Sequence, residues 1–248
     1  MSEPIIELKD LANGVAQVRM QDRVHRNAFT EALICGLTGT FATINRSTDC
    51  KVVILTGYDG YFSSGSTREA LRDLFAGKFK FTSKDLGGLA LNCPVPVIAA
   101  MQGDGVGGGF VLGAFADFTI LARESVYTAN CMNYGFTPGM GATFILPRKL
   151  GFTLAEEMML SASAYRGEEL QKRGIPFAVL PREGVLPRAL ELARTLAEKP
   201  RFSLVTLKNH LVGSIREQMP RMIEQEVAMY QLTSQHTDAN SVEPMSEK

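Results

Sequence analysis

Three apolar, β-branched runs in the first half of the chain have the character of strands buried on both faces. They are KVVILTG, VPVIAAMQG and ADFTILA, which begin at Lys51, Val95 and Ala116. Continuous apolar runs of this kind suit a parallel sheet covered by helices. Helical stretches separate the runs, and an amphipathic segment from about Thr30 to Arg46 precedes the first of them. The pattern predicts an α/β fold.

The two ends of the chain follow different patterns. IIELKD and VAQVRM predict a pair of strands around an Asn13-Gly14 turn. From Phe152 onward the apolar spacing is helical, in segments separated by short glycine or proline signals. These segments are TLAEEMMLSA, GEELQKRG, VLPRALELARTLAEK, SLVTLKNHLV and REQMPRMIEQEVAMYQLTSQH. We expect a core over residues 1–195 and a helical region over 196–248 with a frayed tail.

Composition and charge narrow the class of protein. The chain has 248 residues, 45% of them hydrophobic, which is enough for a sizeable core and for an enzyme. Its net charge is zero, so no nucleic-acid or membrane partner is expected. The acidic start, MSEPIIELKD, does not resemble a secretory signal, and a cytoplasmic protein is expected. The scattered cysteines predict free thiols, with no metal site: Cys35, Cys50, Cys93 and Cys131.

A glycine run, GDGVGGGFVLGAFAD, begins at Gly103 and opens a helix directly after a predicted buried strand. It satisfies G-x-G-x-x-G, but it lies in mid-chain and the next strand has no acid at its end for a ribose, which argues against a dinucleotide site. A serine hydrolase would need a G-x-S-x-G elbow, which this sequence does not contain. The structural alternative is that these glycines only let the helix pack closely on the sheet.

A second strand-to-helix turn, GYDGYFSSGSTREAL, runs from Gly57 to Leu71, with its helix expected to begin near Thr67. The first N–H groups of a helix have no partner within it, and they lie at the positive end of the helix dipole. Two such donors can stabilise one developing oxyanion. Together the two turns outline an oxyanion hole for a thioester enolate.

Five segments of the chain occur in the order and spacing of the crotonase (enoyl-CoA hydratase/isomerase) superfamily, which the sequence resembles over nearly its whole length. They are DRVHRNAF, YFSSGS, PVIAAMQGDGVGGGFVLGAFADFTILA, YGFTPGMGATFILPRKLG and ELQKRGIPFAVLP. The resemblance implies a ClpP/crotonase-like spiral of ββα units, a C-terminal helical region used in trimer formation, and an acyl thioester substrate on a pantetheine arm. It also implies an oxyanion hole from the N–H groups of Ser66 and Gly108. The substrate pocket that it implies is formed by Ser64, Gly65, Val111, Cys131 and Phe136.

The sequence departs from the family pattern at two pocket positions. Hydratases of this family carry two glutamates, and the matching residues here are Val111 and Cys131. Neither side chain can activate water for addition to a double bond, so ordinary hydration is not expected. A substrate carboxylate that leaves as carbon dioxide generates the enolate without a protein base. Such a site needs an oxyanion hole, a cation to place the carboxylate, and a proton donor.

A narrower resemblance supports this reading. VILTGY, VIAAMQG, ESVYTAN, YGFTPGMGATFI and SLVTLKNHLV are similar to decarboxylating crotonases of polyketide β-branching cassettes, of the bacillaene and curacin types. The resemblance implies a carbon-carbon lyase that decarboxylates 3-methylglutaconyl on an acyl carrier protein to a 3-methylcrotonyl-type product. It implies Lys80 as the cation, with Lys78, Arg68 and Arg72 nearby; the structural alternative is that Lys80 is an ordinary solvated lysine. It also implies a homotrimer or hexamer, and no cofactor beyond the phosphopantetheine of the carrier protein or CoA.

The proton donor is the third departure, because these decarboxylases have histidine where this chain has Tyr230. A phenol with a reference pKa of about 10 can protonate a carbanion-like dienolate, although it does not switch charge near neutral pH. The structural alternative is an aromatic residue packed on the inner face of the last helix. His236 lies six residues further on, rotated away. An isomerase, a degenerate hydratase and a non-catalytic carrier-protein binding module remain alternative functions.

Three further features have structural interpretations. Asp104 is expected to cap the glycine loop, and His25 is expected at the surface. The methionines of the last helix are expected to make packing or subunit contacts: Met219, Met222 and Met229.

Overall fold

The computed structural model describes residues 4–67 and 86–234, which contain two β-sheets surrounded by helices. The larger sheet has six strands in the order β1-β2-β3-β5-β7-β10, and the smaller has four in the order β4-β6-β8-β9. The strands are β1 (Ile6–Asp10), β2 (Val15–Met20), β3 (Val52–Thr56), β4 (Tyr61–Ser63), β5 (Val97–Met101), β6 (Asp104–Val106), β7 (Phe118–Ala122), β8 (Val126–Thr128), β9 (Ala164–Arg166) and β10 (Ala178–Leu180).

The helices lie between and after these strands. Numbered along the described residues, the α-helices are α1 (Glu31–Arg46), α2 (Leu86–Asn92), α3 (Gly108–Ala114), α4 (Ala142–Leu150), α5 (Phe152–Ser161), α6 (Gly167–Lys172), α7 (Arg182–Ala197) and α8 (Arg201–Ser234). A short 3₁₀ helix spans Asn130–Tyr134.

Successive strands alternate between the two sheets. The chain passes from β3 to β4, from β5 to β6 and from β7 to β8, each time leaving the larger sheet for the smaller one. The pair β5-β6 is followed directly by α3. This is the repeated ββα unit of the predicted spiral, and the α/β fold class is confirmed.

The strand predictions in the first half of the chain are confirmed. β1 and β2 pair antiparallel, and the turn between them has positive φ at Ala12, Asn13 and Gly14. β3, β5 and β7 are adjacent parallel strands. The predicted amphipathic segment is α1, and the Thr30 side chain caps it by accepting a hydrogen bond from Leu33 N.

Both faces of the larger sheet are covered, which explains its continuous apolar strands. In β3, Val52 and Ile54 face one cluster of buried residues, whereas Val53 and Leu55 face the other. Helix α7 covers the first face with a stripe of small residues four positions apart, which is one face of an α-helix. The stripe consists of Val185, Ala189, Ala193 and Ala197.

The C-terminal half differs from the sequence prediction in two places. A helix was expected only from Phe152 onward, but α4 begins at Ala142 and contains Pro147. The last helical segments were expected to be separate, yet α8 is one helix of 34 residues that continues through Gly213 and Pro220. Tertiary contacts on both sides of these residues outweigh their poor helix propensity.

Buried polar anchors hold the first half of α8 on the core. Lys208 is 4% exposed, and its Nζ donates to the carbonyls of Ala90 and Val95 and to Asp117 Oδ2, at 2.9, 2.9 and 2.7 Å. Arg216 donates to the carbonyl of Leu91 through Nε and Nη2. Because buried carbonyls and charges need partners, these contacts set where α8 lies.

Two further observations concern the lengths of the helices and the state of the cysteines. No helix within residues 4–67 and 86–234 has the length and apolar content needed to cross a bilayer. The four cysteines all lie in this part of the chain, and none of them forms a disulfide.

Replacing Lys208 by methionine tests the anchor, because it removes the buried charge and leaves Asp117 without its cation. We expect the free energy of unfolding, measured by urea denaturation, to fall by about 3 kcal/mol. Lys199→Met is the control, since the Lys199 side chain is 55% exposed. A loss below ~1 kcal/mol for Lys208→Met, which is the range of a surface ion pair, would contradict the anchoring role.

Candidate active site

One pocket lies where the end of β4, the N-terminus of α3 and the segment from β8 to α4 meet. Its lining includes two serines, three glycines and two aromatic residues. The lining residues are Ser64, Ser66, Val106, Gly107, Gly108, Val111, Ala129, Asn130, Cys131, Tyr134, Phe136, Pro138, Gly139, Met140 and Ala142. Five predicted site residues therefore share a pocket with the predicted Ser66: Ser64, Gly108, Val111, Cys131 and Phe136.

The predicted pocket residue Gly65 lies behind this surface, where two backbone segments touch. Its φ is +75°, and a Cβ placed on it would lie 2.4 Å from the carbonyl oxygen of Val106 and 3.2 Å from Gly108 N. Both the left-handed conformation and the lack of space require glycine. The backbone that carries Ser66 is thereby held directly against the start of α3.

The amides of Ser66 and Gly108 are the donors that this contact brings together. Within the described residues, neither nitrogen donates a hydrogen bond to another backbone or side-chain atom, whereas the neighbouring Gly107 N donates to Thr128 O at 2.9 Å. Gly108 is the first residue of α3, where the helix dipole makes an N–H group a better donor to an anion. Both residues that the sequence assigns to the oxyanion hole therefore line the same pocket.

Other glycines of the run have the packing role that was weighed against this function. A Cβ on Gly109 would lie 2.3 Å from the carbonyl oxygen of Ser63, and one on Gly113 would lie 2.3 Å from Met101 Sδ. Within the glycine run, Gly109 and Gly113 therefore serve close packing, whereas Gly108 lies at the pocket. Close packing by Gly109 presses α3 onto β4, and that approach leaves the first amide of the helix at the pocket.

The two positions that carry glutamate in hydratases have no acid–base group active near neutral pH. Val111 is buried and apolar. Burial, together with the nearby charge of Glu226, raises the pKa of the Cys131 thiol to about 12. The thiol is therefore protonated at neutral pH and cannot serve as a base. Among the described residues, no group of His, Cys, Asp and Glu has the arrangement of a metal site.

Aromatic residues form the wall of the pocket toward α8. The rings of Tyr134 and Phe136 stack with centroids 6.0 Å apart, and Phe136 meets Tyr230 edge-on at 6.2 Å. Tyr230 thus lies behind Phe136 on the inner face of α8 and is not part of the lining. Burial raises its pKa above the ordinary value, so the phenol stays protonated at neutral pH. Lys80 lies outside the described residues.

The remaining sequence predictions have mixed outcomes. His25 is exposed, as expected, and its Nδ1 lies 2.9 Å from Asp22 Oδ2. Asp104 is not a cap of the glycine loop: it lies in β6, and its Oδ1 accepts a hydrogen bond from Val126 N, which joins β6 to β8. Met219 packs in the core, as expected, against Gly141.

Sequence reasoning missed Glu226, a buried carboxylate on α8. It accepts hydrogen bonds from Gly141 N and from the N and Oγ1 of Thr143, at the start of α4. The N-cap position of α4 is a glycine with no side chain to cap the helix. A helix that starts at a glycine, without a side chain to cap it, indicates that a capping group comes from elsewhere in the chain. This signal could not be used, because α4 itself was not predicted from the sequence.

The chain is similar to known proteins over most of its length. Residues 10–248 match the Enoyl-CoA hydratase/isomerase family. The chain is 57% identical to the bacillaene synthase decarboxylase PksI of Bacillus subtilis (strain 168), over 97% of each chain. It is 27% identical to the 2,3-dehydroadipyl-CoA hydratase of Escherichia coli (strain K12), covering 86% of this chain and 84% of the hydratase.

Two solved structures superpose closely. One belongs to a dehydratase/decarboxylase enzyme couple involved in polyketide β-branching, with a TM-score of 0.92, 59% identity and coverage of 93% and 94% of the two chains. The other is the ECH2 decarboxylase domain of CurF from Lyngbya majuscula, with a TM-score of 0.92, 44% identity and coverage of 96% and 98%.

The raised pKa of Cys131 predicts slow alkylation. At pH 8 a thiol with a pKa of about 12 is ionised in about one molecule in 10⁴, and the thiolate is the reactive form. Iodoacetamide should therefore label Cys131 at least ~100-fold more slowly than the exposed Cys35, as followed by peptide mass spectrometry. Raising the pH toward 11 should speed the labelling of Cys131. Equal labelling rates for the two cysteines at pH 8 would contradict a Cys131 thiol with a raised pKa.

Proposed function

Because the chain belongs to the enoyl-CoA hydratase/isomerase family, we propose that its pocket binds an acyl thioester and removes a carboxyl group from it. The observation that carries this function is that Ser66 and Gly108, whose amides donate to no other described residue, line one pocket with Val111 and Cys131. Such a site stabilises an enolate but has no base at either glutamate position to activate water. The chain is accordingly an acyl-thioester decarboxylase, in keeping with its 57% identity to a decarboxylase.

The substrate that we propose is 3-methylglutaconyl carried on the phosphopantetheine of an acyl carrier protein. The similarity to a bacillaene synthase decarboxylase and to a structure from polyketide β-branching supports this choice. Loss of the distal carboxyl group leaves a 3-methylcrotonyl-type thioester. The thioester carbonyl is the group that the oxyanion hole has to recognise.

The reaction needs one bond to break and one proton to be returned. When the C–CO₂ bond breaks, its electron pair passes through the conjugated system to the thioester oxygen. The N–H groups of Ser66 and Gly108 stabilise the resulting dienolate, and one such donor is worth about 3 kcal/mol of barrier where this has been tested. The dienolate then takes a proton on carbon and returns its electrons to a C=C bond.

We assign binding of the substrate carboxylate to Lys80 and donation of the proton to Tyr230. An ammonium group at Lys80 would hold the substrate carboxylate and orient its bond for cleavage. The neutral phenol of Tyr230, behind Phe136, would supply the proton. Phe136 separates the ring of Tyr230 from the pocket, so donation requires the substrate to reach past it or Phe136 to rotate.

Assembly into a homotrimer or hexamer is part of the proposal. Helix α8 exposes large apolar side chains that a single chain leaves in contact with water, among them Phe202 at 81% and Leu211 at 65% exposure. Exposed apolar surface of this kind is typical of subunit contacts.

The decarboxylation itself is tested by mass spectrometry of 3-methylglutaconyl carrier protein. Incubation with the protein should remove about 44 Da, the mass of carbon dioxide, from the acyl chain. Lys80→Ala should slow this loss at least ~100-fold, because the carboxylate is no longer held. Lys78→Ala, two residues away, is the matched control and should retain the parental rate. A double-bond shift without mass loss would indicate an isomerase, a gain of about 18 Da a hydratase, and binding without reaction a carrier-protein binding module.

Substitutions at Tyr230 test the proton donor through the pH dependence. Because burial raises the phenol pKa, the donor stays protonated and the parental rate should not fall between pH 7 and about 9. Tyr230→Phe should slow product formation by about 10²-fold or more. Tyr230→His should restore turnover at low pH but lose it as the pH rises through about 6.5, where imidazolium gives up its proton. Parental turnover in Tyr230→Phe would exclude the phenol as donor.

A further inference from the structure

Glu226 is a charged residue that the reaction described above does not use. It is 3% exposed, and both carboxylate oxygens are engaged. Oε2 accepts from Gly141 N at 2.7 Å, and Oε1 accepts from Thr143 N at 2.8 Å and from Thr143 Oγ1 at 2.6 Å. All three recorded contacts of the group come from donors, so the carboxylate of Glu226 serves here as a hydrogen-bond acceptor.

The partners of Glu226 are the first N–H groups of α4. Gly141 stands at the N-cap position and has no side chain to accept from these groups. A negative charge at a helix N-terminus satisfies the unpaired donors and is favoured by the helix dipole. The capping group of α4 therefore comes from α8, which is distant in sequence.

The segment held by this cap is one wall of the pocket. Gly139, Met140 and Ala142 line the pocket. Met140 also lies close to the oxyanion position, since a Cβ on Gly108 would be 2.8 Å from Met140 Sδ. The carboxylate raises the pKa of the Cys131 thiol in the same wall. Glu226 thus acts on the side of the pocket that faces α8.

Tyr230 follows Glu226 by one helical turn and lies on the same face of α8. Met219 lies two turns before Glu226 on this face, and its Sδ is 2.8 Å from where a Cβ of Gly141 would be. Residues 227–233 include no buried residue, so Glu226 is the last buried contact of α8 in the described part of the chain. Glu226 is therefore the buried contact nearest to Tyr230 along α8, one turn before the ring that meets Phe136.

We propose that Glu226 is a positioning residue: by capping α4 from α8, it sets the place of Tyr230 at the pocket. The proposal rests on the proposed function for its effect on turnover, whereas the effect on the location of Tyr230 does not depend on which reaction takes place. Glu226→Gln keeps the size of the side chain but turns one oxygen into an NH₂ group that faces backbone donors. We expect the end of α8 to shift as a result.

The first arm of the test measures the location of Tyr230 without any substrate. In protein labelled with ¹³C at tyrosine Cζ, the resonance of Tyr230 is identified by its loss in Tyr230→Phe. Glu226→Gln should shift that resonance and leave unchanged the signal of Tyr58, which lies between β3 and β4. Glu224→Gln makes the same chemical change at an exposed position of α8 and should leave Tyr230 unshifted. An unshifted Tyr230 in Glu226→Gln would overturn the proposal.

The second arm is a double-mutant cycle on the decarboxylation rate. Glu226→Gln should lower kcat by about 10- to 100-fold with little change in KM, as a misplaced catalytic group does. In the Tyr230→Phe background the same substitution should have no further effect, because both changes remove one function. An equal further loss in that background would show that Glu226 acts independently of Tyr230, and would also overturn the proposal.

Two controls keep the outcomes separate. Thr143→Val removes one of the three hydrogen bonds and should move the Tyr230 resonance in the same direction by a smaller amount, so it replaces Glu226→Gln if that variant does not fold. If the parental protein releases no carbon dioxide, the proposed function fails, and the resonance arm alone decides the role of Glu226.

Discussion

The contact between two stretches of backbone, at Gly65 and at Gly108–Gly109, is the constraint on which the rest of the site depends. A Cβ on Gly65 would lie 2.4 Å from a carbonyl oxygen of the glycine run, and one on Gly109 would lie 2.3 Å from the carbonyl oxygen of Ser63. No other residue type allows this approach. It places Ser66 and Gly108 at one pocket, so the donors of the proposed oxyanion hole belong to the backbone and are held by the packing of the fold.

The rest of the pocket explains why this family member decarboxylates. Val111 is apolar, and the half-buried Cys131, whose thiol pKa is raised, keeps its proton at neutral pH. With no base at these positions, the electrons for the enolate must come from the substrate, and a departing carboxylate provides them. The proposed roles of the two side chains follow from this mechanism. Lys80 would position the carboxylate that leaves, and Tyr230 would return a proton to the dienolate. Glu226 then links the last helix to the start of α4, which forms part of the pocket wall.

Much of the fold could be predicted because local patterns agree with the tertiary structure. The apolar runs of β3, β5 and β7 are buried on both faces, and α1 covers the predicted amphipathic segment from about Thr30 to Arg46. The exceptions are segments whose contacts lie far away in sequence. Gly213 and Pro220 do not interrupt α8, because Lys208, Arg216 and Glu226 hold it along its length. Helix α4 was missed because its cap is Glu226, 85 residues beyond Gly141, and Asp104 joins two strands where a turn residue was expected.

The proposed oxyanion hole fixes where one atom of the substrate must lie, the carbonyl oxygen of the thioester. A crystal structure with a pantetheine amide analogue, in which nitrogen replaces the thioester sulfur and prevents hydrolysis, would locate the acyl carbonyl. The carbonyl oxygen should lie within about 2.7–3.2 Å of both Ser66 N and Gly108 N. A carbonyl oxygen bound by neither amide, or an acyl chain that enters with its carbonyl turned toward Phe136, would contradict the account.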